Sequence, residues 1–202
     1  MSIIINNNEK KEFEMRERSK DLRVRRTLTA VRKAFNELVL ARNYRDISIT
    51  DLTERAGINR KTFYLHYASL DDLVYEIEEE MAQDILQNIG KYAREQDLKG
   101  CITYFYKYLE SCSKVQKKLM CDEYYTFFYN AVTDIVLSSE EFSGFFAVTE
   151  YPSIVRSYTR AITAIYMDWL QSGKETKFSV LTEMAGQLLE NGYNSVIKKE
   201  SE

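Results

Sequence analysis

The side chains best suited to chemistry in this chain fall in one short run, Asn59-Arg60-Lys61-Thr62-Phe63-Tyr64-Leu65-His66-Tyr67. Arg60 and Lys61 are long cationic donors, the kind that reach guanine edges or phosphate oxygens. Thr62 is short enough for close approach to a duplex or for contact with a thymine methyl. Tyr64 and His66 offer a hydroxyl and a ring N–H, groups that hold phosphate without reading sequence. Upstream, Ser48 and Thr50 combine hydroxyls with the N–H groups of a helix start, an anion-binding arrangement. Arg25, Arg26 and Thr27 add possible contacts to a phosphate backbone. Other chemistry is poorly provided for. His66 is the only histidine, and Cys101, Cys112 and Cys121 lack the short spacing of a zinc site, so neither metal nor cofactor is expected. There is no Gly-rich phosphate loop, nucleophile elbow or H-E-x-x-H motif, and no enzyme is expected.

Donors of this kind read a duplex only if other elements hold their helix in place. Val24, Leu28, Val31, Phe35 and Leu38 recur at spacings of four, three, four and three, one face of a helix running to Arg42. Asn43 stands where such a helix needs a left-handed closing residue. Ser48 followed by Asp51 predicts a capping box, and Ile49, Leu52, Thr53 and Ala56 give the inner side of about two turns. Gly57 breaks that helix. Asn59 caps a second one from Arg60 to about Tyr67, with Phe63 and Tyr67 inward at i, i+4 spacing. Two short helices joined by a turn containing glycine form a helix-turn-helix. Phe63 and Tyr67 read as core, whereas Tyr64 and His66 stay open between phosphate contact and packing or solvation.

Composition agrees with a helical chain. One proline and seven glycines in 202 residues are far fewer breakers than turn-rich β or α/β folds use. No run approaches the ~18 apolar residues of a membrane span, so a cytoplasmic protein without membrane contact is expected. The net charge of −3 hides a split: residues 1–70 carry a balance of +6 and residues 71–202 a balance of −9. That asymmetry points to a polyanion as partner of the first part, with charge scatter on the N-terminus as the plainer alternative.

The segment SITDLTERAGINRKTFYLHYASLDDL, with Val31, Ala34 and Leu38 before it, resembles the DNA-binding domain of the TetR/AcrR family of bacterial regulators. Ser48, Ile49, Asp51, Leu52, Ala56, Gly57, Ile58, Thr62, Tyr64, His66, Tyr67 and Leu73 match that family's motif, and the resemblance covers roughly residues 22–75. Asn43 stands in place of a usual glycine, and Leu70 in place of a frequent phosphate-binding lysine. The run from Asn59 to Tyr64 looks more like a subgroup that includes activators of dihydroxyacetone-kinase operons.

The resemblance implies an all-α chain: a flexible N-terminal arm or helix extension at 1–20, a three-helix helix-turn-helix domain at 21–69, and a larger helical effector-binding and dimerisation domain at 70–202. In that larger part, Leu73, Val74, Ile77, Met81, Ile85 and Ile89 mark a long helix to about Tyr92, and 98–112 and 115–139 read as further helices. Nine aromatics lie between Tyr104 and Tyr129. Core packing accounts for most of them, while Tyr104, Tyr108, Tyr124, Phe127 and Phe128 are the candidates for an effector pocket. Pro152 opens a pair of amphipathic helices that resembles the family's dimerisation pair. Tyr158, Ile162, Ile165, Trp169, Leu181, Met184, Leu188 and Val196 are its candidate interface residues, with closure of the chain's own core as the alternative. The expected function is a dimeric repressor released from a palindromic operator in double-stranded DNA by a small-molecule effector. The alternative is a helical co-regulator whose C-terminal domain answers to a protein.

Overall fold

The computed structural model describes the backbone over residues 7–196 and side chains over 21–196. Among these residues the chain forms ten α-helices and two 3₁₀ turns, with no strand. It divides into two compact units, Met1–Leu73 and Val74–Glu202, so the boundary falls after Leu73 rather than after residue 69.

In the first unit, α1 runs Asn7–Ala41 and a 3₁₀ turn covers Tyr44–Asp46. Helices α2 (Ile49–Ala56) and α3 (Arg60–Tyr64) follow. Val31, Phe35 and Leu38 of α1, Leu52 and Thr53 of α2, and Phe63 and Tyr67 are buried, as their spacing requires. The structure decides two local points. Residues 7–20, expected as an arm or an extension of the first helix, belong to α1; they contain no proline or glycine and are rich in the straight-chain residues that favour helix. Residues 1–6 lie outside the described ones. Asn43 is extended (φ −76°, ψ 155°) rather than left-handed, because a 3₁₀ turn begins at the next residue and Asn43 is its N-terminal flank.

Helix α4 (Leu70–Arg94) begins in the first unit and continues into the second. The second unit adds α5 (Leu98–Ser111), α6 (Lys114–Cys121), α7 (Thr126–Leu137), α8 (Glu140–Ala147), α9 (Pro152–Gln171) and α10 (Phe178–Asn194). The helical stretch expected over 115–139 is therefore broken. The Asp122 carboxylate accepts the Tyr124 N–H at 2.9 Å, a local bond that competes with the helix and turns the chain at 122–125.

Helix α10 packs chiefly on α5 and α9. Tyr106, Tyr125, Phe128 and Tyr166 are fully buried in this core. Two of its phenols tie helices together. Tyr106 Oη donates to the Ile162 carbonyl at 2.6 Å, tying α5 to α9, and Tyr193 Oη donates to the Phe145 carbonyl at 2.9 Å, tying α10 to α8. The three cysteines are free. Burial pushes the thiols of Cys101 and Cys121 up to about 12 and that of Cys112 up to about 11, so all three are protonated at neutral pH. No helix among the described residues is long and apolar enough to cross a membrane.

Candidate nucleic-acid interface

Ser48 is the N-cap of α2. Its hydroxyl accepts the Asp51 N–H at 3.1 Å, and the Asp51 carboxylate accepts the Ser48 N–H at 3.0 Å. The same hydroxyl donates its proton to Asp51 Oδ2. Those bonds, with the Arg42 guanidinium at 3.3 Å, hold the Asp51 carboxyl below its ordinary value, the Ser48 bonds contributing most. Ser48, expected as a phosphate donor, thus has its proton committed to the cap. At this helix end an anion would meet the first-turn N–H groups and the exposed Thr50 side chain.

Gly57 ends α2 in the left-handed region (φ 67°, ψ 31°), and its N–H returns to the Glu54 and Thr53 carbonyls. A β-carbon there would meet nothing within 4 Å, so the glycine serves the backbone angle and not a close contact. The chain then turns into α3. The Asn59 side chain accepts the Thr62 N–H at 2.8 Å and the Thr62 hydroxyl at 3.1 Å. Asn59 and Thr62 together fix the start of the helix, which leaves the Thr62 methyl as its group for a base edge.

Arg60 and Lys61 are exposed on α3, while Phe63 and Tyr67, with ring centroids 5.4 Å apart, anchor the opposite side. Tyr64 is 46% exposed and meets Phe63 edge-on at 5.7 Å; His66 is half-buried. The helix is shorter than expected, ending at Tyr64. On α1, Arg26 is exposed, and Arg25 is exposed and pairs with Asp21 one turn away at 3.3 Å, a surface contact easily exchanged for another anion. Thr27 is half-buried and donates to the Arg23 carbonyl at 3.1 Å.

Arg42 is a positioning residue that the sequence did not single out. It donates to the Asp46 carbonyl at 3.2 Å and to Asp51, joining the end of α1 to the cap of α2. Nine residues separate Arg42 from Asp51, and no helical periodicity marks that spacing. Leu65 was also passed over. It is 75% exposed between Tyr64 and His66.

No protein-family model matches the chain. The HTH-type transcriptional regulator YxbF of Bacillus subtilis is 33% identical over 75 residues. That match covers 37% of this chain and 20% of YxbF, so the chain spans about a fifth of the length of this curated relative. Among solved structures, NalD, the secondary repressor of the MexAB-OprM multidrug efflux pump in Pseudomonas aeruginosa, superposes with a TM-score of 0.56. It is 17% identical over 87% of this chain and 98% of its own. The fold is TetR-type. The dihydroxyacetone kinase operon activator DhaS is 21% identical over 85% of this chain and 98% of its own, with a TM-score of 0.45. The subgroup resemblance therefore rests on the run from Asn59 to Tyr64 alone. The curated relative is an HTH-type transcriptional regulator.

Within the C-terminal unit of this TetR-type fold, the residues expected at an effector pocket are scattered. Phe128 is wholly buried, Tyr104 and Tyr108 are half-buried, and Tyr124 and Phe127 are exposed. An apolar cavity of about 40 Å³ lies elsewhere, between Ile89, Phe105, Val136, Phe145 and Leu189, and none of the five lines it. The five candidates cluster in sequence, whereas this cavity is assembled from residues far apart along the chain.

The expected interface residues separate in the same way. Ile162, Trp169 and Leu181 are buried in the chain's own core, and Trp169 Nε1 donates to the Thr176 carbonyl at 2.9 Å. Tyr158 is folded onto α10, where its hydroxyl donates to the Leu188 carbonyl, and Gly192 leaves room for the ring. Met184, Leu188 and Val196 are exposed, and Ile165 is half-exposed. Ile165, Met184 and Leu188 line a shallow groove on α9 and α10 of about 320 Å³.

Proposed function

We propose that this protein is a sequence-specific DNA-binding transcriptional regulator: a cytoplasmic homodimer that represses from a palindromic operator and is released by a small-molecule effector. The observation that carries this is α3. Arg60 and Lys61 stand exposed on one side of a helix whose other side buries Phe63, with Tyr67 buried just beyond its end and the turn before it fixed by Gly57 and Asn59. That is the geometry of a helix held for insertion into the major groove. Its contacts divide into base readout by Arg60, Lys61 and the Thr62 methyl, and phosphate contact by Tyr64, His66, Arg25, Arg26 and the start of α2.

Two copies supply what one short helix lacks. A single α3 reaches few base pairs, whereas two placed one helical turn (~34 Å) apart read two half-sites. The exposed side chains of Met184 and Leu188, 56% and 47% accessible, support α9 and α10 as the seam between copies. The apolar cavity supports a small molecule over a protein as the signal. The exposed rings of Tyr124 and Phe127 are what favours a protein partner.

The test is selection of bound duplexes from a random pool, followed by binding measurements on the enriched site. Replacing Arg60 and Lys61 together with alanine should abolish specific binding while the circular dichroism of the chain is unchanged. Affinity for the native protein should fall by about 10³-fold or more between 50 and 200 mM salt if six or more phosphates are neutralised. Retention of operator affinity by the double variant would show that α3 is not the reading helix.

A further inference from the structure

The wall of the apolar cavity is uniform in chemistry. It draws residues from six helices, α4, α5, α7, α8, α9 and α10, and none of them carries a charge, although residues 71–202 hold twenty-two acidic and thirteen basic side chains. Its few hydroxyls are already satisfied by backbone. Thr133 donates to the Tyr129 carbonyl at 2.8 Å, Thr159 to Val155 at 2.9 Å, Thr163 to Arg160 at 2.8 Å and Tyr193 to Phe145 at 2.9 Å. The threonines are thereby left with methyl groups as their contribution to the void. Cys101 adds a thiol that burial keeps protonated.

We propose that the ligand taken here is an uncharged, predominantly hydrocarbon molecule, held by shape and dispersion without an ion pair, and that α8 is the wall that yields to admit it. A charged group would lose its water in this site and gain no partner. A void of about 40 Å³ is smaller than the ~150 Å³ in which an engineered apolar cavity takes benzene, so entry requires a wall to move. Helix α8 is the element built to do so. It is only eight residues long, and its N-cap residue Ser139 makes no side-chain cap bond and has its hydroxyl buried without a partner. It contributes three rings to the void, Phe142, Phe145 and Phe146. The role of this ligand as effector rests on the regulator function proposed above; its binding does not.

The probes are toluene and benzoate, alike in ring and different in charge, titrated into the full-length protein at pH 7 with the methyl resonances of Ile89, Val136 and Leu189 observed by NMR. Toluene should bind saturably, one per chain, and shift those methyls, while benzoate at equal concentration should not. Phe145→Ala enlarges the void and should tighten toluene binding severalfold. Val136→Phe fills it and should weaken binding at least tenfold; should that variant not fold, Phe145→Ala alone decides. Equal binding of benzoate, toluene shifts that ignore both substitutions, or no toluene binding by either the native protein or Phe145→Ala would each overturn the proposal. Operator binding is measured on the same samples. Toluene seated in the void with the operator complex unaltered would uphold the ligand class and overturn the effector role, whereas failure of the native protein to select any duplex would overturn the regulator function independently.

Discussion

Arg42 and Asp51, nine residues apart, meet at 3.3 Å, so the carboxylate that closes the N-terminus of α2 also holds the end of α1. One side chain therefore serves two purposes. It satisfies the Ser48 N–H, and it fixes where the first helix stops relative to the second.

Loss of this cap should be measurable. Ser48→Ala removes the acceptor for the Asp51 N–H and should lower stability by about 1 kcal/mol in urea titrations. Ser48→Thr, which retains the hydroxyl, should recover most of the loss. Because the Ser48 proton is committed to Asp51, the threonine variant should also keep the operator affinity of the native protein.

The same pair sets a pH dependence. The folded Asp51 carboxyl lies below its ordinary value, chiefly through the Ser48 hydrogen bonds and further through Arg42. A depressed folded value gives stabilisation that is present above the unfolded carboxyl pKa of about 3.9 and is lost as pH falls through the folded value. Asp51→Asn should be less stable than the native protein at pH 7, and the gap should narrow on going from pH 5 to pH 2. A gap that is constant with pH would mean the charge contributes nothing.

Gly57 and Gly144 make a matched comparison, since a β-carbon at either meets nothing within 4 Å. Gly57→Ala forces a side chain into the left-handed region and should destabilise by roughly 1 kcal/mol. Gly144→Ala lies within α8 and should instead stabilise by about 0.5–1 kcal/mol. Thermal unfolding of the two variants should shift in opposite directions.

Tyr193→Phe removes the donor to the Phe145 carbonyl, one of the last carbonyls of α8 and without a partner in its own helix. The expected cost is about 1–2 kcal/mol, with the largest increase in amide exchange in α8.

Met184→Glu with Leu188→Glu should convert the protein to a monomer in sedimentation without loss of helix content, since both side chains are exposed in the single chain. Operator affinity should fall with it. A dimer that survives both charges would place the seam elsewhere.

The first unit was largely legible because its signals are local. Ser48 with Asp51, Gly57 and Asn59 each act within three or four residues, and Phe63 and Tyr67 declare themselves by spacing. Asn43 was misjudged because asparagine suits both a left-handed helix end and the residue flanking a following turn, and only the 3₁₀ turn at Tyr44 decides. Asp122 hid a break in the same way. The cavity was hardly legible: of the nine aromatics between Tyr104 and Tyr129, Phe105 lines it. Ile89, Val136 and Leu189 meet only through packing, whereas the aromatic run from Tyr104 to Tyr129 supplies mainly the solid interior, as the complete burial of Tyr106, Tyr125 and Phe128 shows.

The void beside α8 also makes the C-terminal unit responsive to a variable other than ligand. Empty interior volume is eliminated when water reaches it, so hydrostatic pressure favours any state in which α8 has moved away. A space of about 40 Å³ corresponds to roughly 24 mL/mol if wholly lost, within the range by which pressure shifts protein equilibria. Compression therefore offers a way to populate the yielded conformation of α8 with no ligand present.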